Sequence, residues 1–303
     1  MLIQSLSSRS IHRVLVELGV VGAMLGVVYL WRQGLRAIAQ SHTSVLGSVS
    51  VVGGFASGFI FLAGLIVFIA AYASIRDVWP GLSLPARPNR IALVLAGIGP
   101  LAFVALTKLV GVLTGIPYRT LTKTSYATDA ALAPILLIIG LAVVIGVPTL
   151  VLICQVLVQG TLRQVFDGTA TVILTAVLAG VAMVSTTGGF ALAPDLGKLV
   201  GTFLLVLTLG IALYATARTQ RASIRYLAYL PLVLLAVVIL VPGINATDSV
   251  AEGLFTLTHL AVFAIAAYTY ERSDSLLPPA VAYLSLSLAN YAVVLGFETQ
   301  LLF

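Results

Sequence analysis

Few residues in this chain are of a type and in a place to do chemistry. An ionisable side chain within hydrocarbon costs about 2.5–3.5 kcal/mol or more, so each one inside an apolar run is a functional candidate. Three qualify: Glu17, Lys108 and His259. Glu17 follows Arg13 by four residues, near a membrane end, where an i,i+4 ion pair or snorkelling satisfies it without function. Lys108 sits deeper, in GPLAFVALTKLVGVLTGIPYR, with a stem long enough to lift its ammonium toward the 117–129 loop. His259, in EGLFTLTHLAVFAIAAY, is nearer mid-span, where an imidazole binds a ligand, relays a proton or hydrogen-bonds a neighbouring helix. Lys108 and His259 stand as binding candidates.

What is missing narrows the chemistry further. Zinc catalysis wants about three converging protein ligands, and the only histidines are His12, His42 and His259; no metal site and no cofactor is expected. Intramembrane aspartyl chemistry needs two buried carboxylates, yet Asp77, Asp129, Asp167, Asp195, Asp248 and Asp274 all fall outside the apolar runs or at their ends. No G-x-S-x-G occurs beside a plausible base. The single cysteine, Cys154, excludes an intrachain disulfide and a Cys-based zinc cage. Gly180 and Gly188-Gly189 lack a phosphate-loop context and suit close helix packing.

The elements that must position these residues are membrane helices. The chain is 60% hydrophobic and 9% charged over 303 residues, against about 45–50% and about 25% in a soluble domain. A span needs about 20 apolar residues, and lipid offers no partner to a free backbone N–H, so spans are helical. The apolar runs predict about nine transmembrane helices, near 14–31, 45–74, 91–116, 130–151, 169–187, 198–216, 226–244, 251–270 and 277–297. The fold class is thus all-α, a polytopic integral membrane protein, 1–303 forming one domain. The second helix is long enough to tilt or break at Gly53-Gly54. The fourth is expected to kink at Pro148 and run on to Phe166. The N-terminus has the basic-then-apolar order of a secretory signal, but Arg32 and Arg36 precede Ala37-Ile38-Ala39, which is wrong for cleavage. It is read as the first span.

With nine spans, one side carries Arg9, Arg13, Arg76, Arg87, Arg90, Arg163, Arg218, Arg221, Arg225 and Arg272, and the other Arg32, Arg36, Arg119, Lys123 and Lys198. That asymmetry places the N-terminus in the cytoplasm and the C-terminus outside, with the plasma membrane as location. The sequon Asn245-Ala246-Thr247 then falls in an outer loop. Lys and Arg number 16 against 10 Asp and Glu; this excess, spread over short loops, suits anionic headgroups of membrane lipid rather than nucleic acid. The last two helix pairs share a plan, IALYATARTQRASIRYLAYLPLV and AIAAYTYERSDSLLPPAVAYLSLS, which is either a weak internal repeat or the likeness that membrane hairpins with an Arg-bearing turn reach by physics alone, the second reading being favoured.

The stretch VLICQVLVQGTLRQVFDGTATVILTAVLAGVAMVS resembles the CPBP family, intramembrane metalloproteases that include CAAX prenyl endopeptidases and bacteriocin-processing proteins. Members carry Glu-Glu-x-x-x-Arg leading into a run similar to Gln-Gly-x-Leu-Arg, then Phe-x-x-x-His, then His with Asn four residues on. Alignment on Gln159-Gly160-Thr161-Leu162-Arg163 puts the glutamate pair at Leu150 and Val151, the arginine at Gln155, and Phe-x-x-x-His at Ala179 and Met183. The third motif has two possible locations. Tyr270-Glu271-Arg272 with the following SDSLLPPAVAY gives Tyr283 and Ser287; ARTQRASIRYLAYLPLV gives Tyr229 and Val233. The resemblance covers 130–303 as a CPBP-like core and leaves 1–129, with three helices, unaccounted for.

Leu, Met and Tyr cannot supply the protons and lone pairs of a water-activating glutamate and its histidines. The resemblance therefore implies a relative that keeps the fold without proteolysis, a pseudoenzyme whose cavity binds a lipid, a prenyl chain or a partner's transmembrane helix; Gln155 is a further binding candidate. Two other functions fit the sequence: a transporter or permease subunit using Lys108 and His259, and an active intramembrane peptidase with displaced catalytic residues. Oligomeric state is not legible.

Overall fold

The computed structural model describes residues 8–46, 51–77, 79, 81–82, 90–123, 131–185, 189–219, 221–245 and 249–298. Among them the chain is all-helical. In order come α1 (Ser8–Leu46), α2 (Val51–Arg76), α3 (Arg90–Thr114), the short α4 (Tyr118–Thr122) and α5 (Leu132–Val151). A π-helical segment, Leu152–Gln159, leads into α6 (Gly160–Leu162). Then follow α7 (Gly168–Met183), α8 (Leu196–Arg218), α9 (Ala222–Asn245), α10 (Val250–Ser273) and α11 (Leu277–Val293), which widens into a π turn at Val294–Glu298. Each of the nine expected apolar runs contains a helix among the described residues, although helix stops at Thr114 and Met183, short of the expected 116 and 187.

Among the described residues seven stretches are long and apolar enough to cross a membrane: Ile11–Gln40, Gly53–Arg76, Arg90–Thr114, Leu132–Leu162, Leu196–Arg218, Val250–Ser273 and Leu277–Glu298. The chain is an integral membrane protein on that ground. Two further apolar helices, Gly168–Met183 and Ala222–Val238, are shorter. The 16 residues of α7 rise only about 24 Å, against about 30 Å of hydrocarbon.

The sequence expectations need three local corrections. Helix α1 is 39 residues long and takes in 45–46, which were expected to open the second helix. Helix α2 begins at Val51 and passes unbroken through Gly53-Gly54, since a helix that keeps all its backbone hydrogen bonds tolerates glycine where lipid would punish a break. Pro148 lies inside α5, and four residues later the backbone winds into the π segment rather than simply kinking; the helix ends at Leu162 and not at Phe166. Ala246 and Thr247 of the sequon, together with Arg87, Asp129, Gly188 and Asp248, lie outside the described residues.

Helix starts are set by side-chain caps. Asp167 accepts from the Ala170 N–H at 2.8 Å, Asp195 from Lys198 N–H at 2.9 Å and Ser249 from Glu252 N–H at 3.1 Å, each answering an amide that the first turn leaves open. Helix α3 packs against α10 and α11, α7 against α10 and α8, and α1 against α8, while α9 packs on α8. Hydroxyls stitch the inner helices: Thr107 to Thr258 at 2.9 Å, Ser285 to the Gly97 carbonyl at 2.7 Å and Tyr72 to Thr161 at 2.6 Å. Between helices in lipid such bonds supply the specificity that hydrophobicity cannot.

The bundle has two chemically distinct ends. At one, Arg76 donates to Glu17 and, at 2.9 Å, to Gln164 Oε1. Arg163 there pairs with Glu271 at 3.1 Å and Asp274 at 2.7 Å. Glu17 thus finds its cation on α2 and not at Arg13, because the bundle offers a fixed partner across the helix pair. At the other end Arg32 donates to the Ala193 carbonyl at 3.1 Å, and Lys198 to the carbonyl of Val184.

Candidate functional site

A cavity of about 500 Å³ opens among α2, α5, α10, α11 and the residues Ser185, Gly189, Phe190 and Leu192. Its walls are mostly apolar, with Leu150, Phe190 and Phe255 prominent, and its polar side chains include His259, Ser287 and Asn290. Among the described residues no Lys, Arg, Asp or Glu lines it. Gly58 shapes the rim: a Cβ there would come within 2.9 Å of Ile145 Cδ1, so glycine lets α2 approach α5 beside the opening.

His259 is the most polar feature of the wall. The residue is only 2% exposed, and its Nδ1 lies 2.8 Å from the Phe255 carbonyl. A carbonyl oxygen only accepts, so in the neutral ring Nδ1 carries the proton and Nε2 presents a lone pair. Phe190 and Phe255 pack edge-on to the imidazole at 4.8 and 4.5 Å between ring centres, which fixes its plane. Nε2 has no hydrogen-bond partner among the described residues.

Behind this wall the π segment carries Gln155, fully buried, whose Nε2 donates to the Tyr283 hydroxyl at 3.0 Å. Its Oε1 is unpaired among the described residues. A π turn widens the helix and shifts side-chain register, a device that recurs at functional positions. Tyr283 in turn stacks at right angles on Phe190, 5.5 Å between centres, so the cavity wall and the buried amide are one packed unit.

The motif-equivalent positions divide cleanly. Leu150 and Ser287 face the same cavity, and Gln155 bonds Tyr283 just behind it. Val151, Ala179 and Met183 are buried and do not line the cavity. Tyr229 and Val233 belong to α9, apart from all of these: the Tyr229 hydroxyl lies 3.5 Å from Thr216 on α8, and Val233 is 54% exposed.

Lys108 and His259 are not brought together. Lys108 donates to Glu298, whose carboxylate also accepts from the amides of Tyr118 at 2.9 Å and Arg119 at 3.3 Å. Lysine, glutamate and the start of α4 form a closed knot at the end of α11, and Lys108 is not among the cavity walls. Next to the knot, Tyr118 donates to Asn290 Oδ1 at 2.6 Å; burial pushes this phenol's pKa up from its ordinary value, so it stays a donor.

Sequence reasoning missed Glu298, Asn290 and Phe190. A signal existed for the first two: Glu298 is the one acid after Asp274, and Asn290 sits inside an apolar run, where polar side chains glue helices or line sites. Phe190, in a loop, gave none. Among the described residues no three His, Cys, Asp or Glu side chains gather as a metal site. No protein-family model, curated protein or solved structure matches the chain.

Proposed function

We propose that this protein is a nine-span, CPBP-like membrane module without proteolytic activity, and that its cavity holds the apolar chain of a membrane lipid. The observation that carries the proposal is the uncharged cavity of about 500 Å³ with Leu150 and Ser287 on its wall, where a protease of the resembled kind would need a base and a ligand. Volume chooses among occupants. A helix about 10 Å across fills roughly 420 Å³ per turn, so the space takes one turn of a partner's helix at most, whereas 300–1,000 Å³ is the ordinary range for a small ligand. A lipid or prenyl chain fits that range.

Nine spans are supported by where the short helices start and stop. Helix α7 begins beside Glu271, whose carboxylate would lie 3.1 Å from a Cβ on Gly168, and it ends at the Val184 carbonyl that Lys198 holds at the opposite end. Helix α8 returns from there to Arg218, while α10 starts near Tyr118, whose ring meets Phe255 at 6.0 Å. Helix α9 must therefore cross to join them. On this topology the Arg76 and Arg163 end faces the cytoplasm of a plasma-membrane protein, the C-terminus lies outside, and the cavity opens in the outer half.

The test is photolabelling of the full chain in phosphatidylcholine vesicles with a diazirine-bearing sixteen-carbon alkane. Labels are expected to concentrate on the α5, α10 and α11 cavity walls and to be lost in Leu150→Trp. Labelling spread evenly over the lipid-facing surface, indifferent to that substitution, would sink the proposal.

A further inference from the structure

We infer that the cavity selects an uncharged amphiphile, a single-chain lipid ending in a hydroxyl that donates to His259 Nε2. The inference rests on the lipid-binding proposal above and names the headgroup. Three observations converge on it. Among the described residues the cavity wall holds no Lys, Arg, Asp or Glu, so a phosphate, carboxylate or ammonium placed inside would be an uncompensated charge in a site walled mostly by apolar side chains, far costlier than a neutral polar group. Of the cations at this end of the bundle, Lys108 is held by Glu298, Lys198 by the Val184 carbonyl and Arg32 by the Ala193 carbonyl, while Lys123, beside the lining residue Thr122, is not itself on the wall.

The second observation is the polarity of the imidazole. The Phe255 carbonyl consumes the one proton of the neutral ring, leaving an acceptor without a partner among the described residues on a side chain whose residue is 2% exposed. An acceptor asks for a donor, and among lipid headgroups the hydroxyl is the neutral donor that also tolerates apolar surroundings. The third is the neighbouring polar pair. Ser287 and Asn290 line the same cavity on α11, and Asn290 Oδ1 is already taken by Tyr118, which leaves its amide as a donor to the hydroxyl oxygen. A hydroxyl at this point both gives and receives a hydrogen bond; an ester or an ether could only receive.

The experiment compares three photolabels in vesicles at equal mole fraction, so that membrane partitioning cancels: a sixteen-carbon diazirine alcohol, its phosphate ester and the headless alkane. The alcohol is expected to label the cavity about tenfold more than either of the others, the worth of one or two buried hydrogen bonds, and His259→Leu is expected to lower the alcohol to the alkane's level while leaving the alkane unchanged. Equal labelling by alcohol and alkane, or stronger labelling by the phosphate, overturns the headgroup inference and leaves lipid binding standing. Absence of cavity labelling by all three overturns both. Should His259→Leu lower all three labels together, wild-type protein with ¹⁵N-labelled histidine decides: an upfield shift of one Nε2 resonance on adding the alcohol supports the contact, and an unmoved spectrum refutes it.

Discussion

The hairpins α8–α9 and α10–α11 are written on the same plan, an apolar helix, an arginine-bearing turn and a tyrosine- and proline-containing return, yet they do opposite things. Tyr283 of the second is fully buried, bonds Gln155 and stacks on Phe190. Tyr229 of the first makes a 3.5 Å contact with the adjacent helix of its own hairpin, and its neighbours Leu230, Val233 and Leu234 are about half exposed. The turns differ as well. In the first, Arg225 folds back on the Thr219 carbonyl at 2.7 Å. The second is held from outside, by Arg163 on Asp274 and by the Leu276 N–H on the Gly81 carbonyl at 2.9 Å. In lipid, apolar content does not choose which helix is central; polar and steric fit to neighbours does, and both α10 and α11 have it, whereas of the first hairpin α8 packs on α1 and α7 and α9 packs on α8.

The sharpest way to break this comparison is to remove each tyrosine. Tyr283→Ala opens a void in the core and strips Gln155 of its acceptor, and is expected to destabilise the bundle by about 3 kcal/mol or more. Tyr229→Ala should cost under about 1 kcal/mol. Unfolding of the purified protein by SDS titration measures both, and equal losses would mean that α9 is as central as α11. A middle-sized contrast lies in two glycines. A Cβ on Gly81 would sit 2.5 Å from the backbone oxygen of Asp274, which cannot swing aside, so Gly81→Ala should cost about 1–3 kcal/mol. On α8, a Cβ at Gly201 meets Val181 at an ordinary 3.9 Å, so Gly201→Ala should be neutral or gain up to about 1 kcal/mol from helix propensity. The same titration distinguishes them.

Much of the frame was legible in the sequence because the membrane makes it so: length and apolarity fix helices almost regardless of partners. His259 was legible as a candidate for the same reason, a costly group in an apolar run. What could not be read was pairing. Arg13, at i−4, was the obvious local partner for Glu17, yet the α1–α2 geometry gave it Arg76. Lys108 looked like half of a pair with His259, but Glu298, nearly two hundred residues away in sequence, holds it. Leu150 and Ser287 were marked only through a family resemblance, and their meeting at one cavity depends on α5 and α11 packing together. The π segment that buries Gln155 left no mark beyond Pro148. Partnership across helices is tertiary information, and a periodicity with no polar face carries little of it.

The smallest effect separates charge from backbone at the α10–α11 turn. Asp274 closes α10 in the left-handed conformation, φ 52° and ψ 30°, and its carboxylate meets Arg163 at 2.7 Å while remaining 78% exposed. If the ion pair mattered most, Asp274→Asn would weaken the turn. An exposed pair is worth little once water screens it, whereas a residue with a Cβ in the left-handed region costs about 1–2 kcal/mol unless a short polar side chain eases it, as Asp and Asn do. Asp274→Asn is therefore expected to change stability by less than about 0.5 kcal/mol, and Asp274→Ala to cost about 1 kcal/mol. If Asn costs as much as Ala, the charge on Arg163 holds this hairpin in the core, and the contrast with the self-contained α8–α9 turn becomes electrostatic rather than conformational.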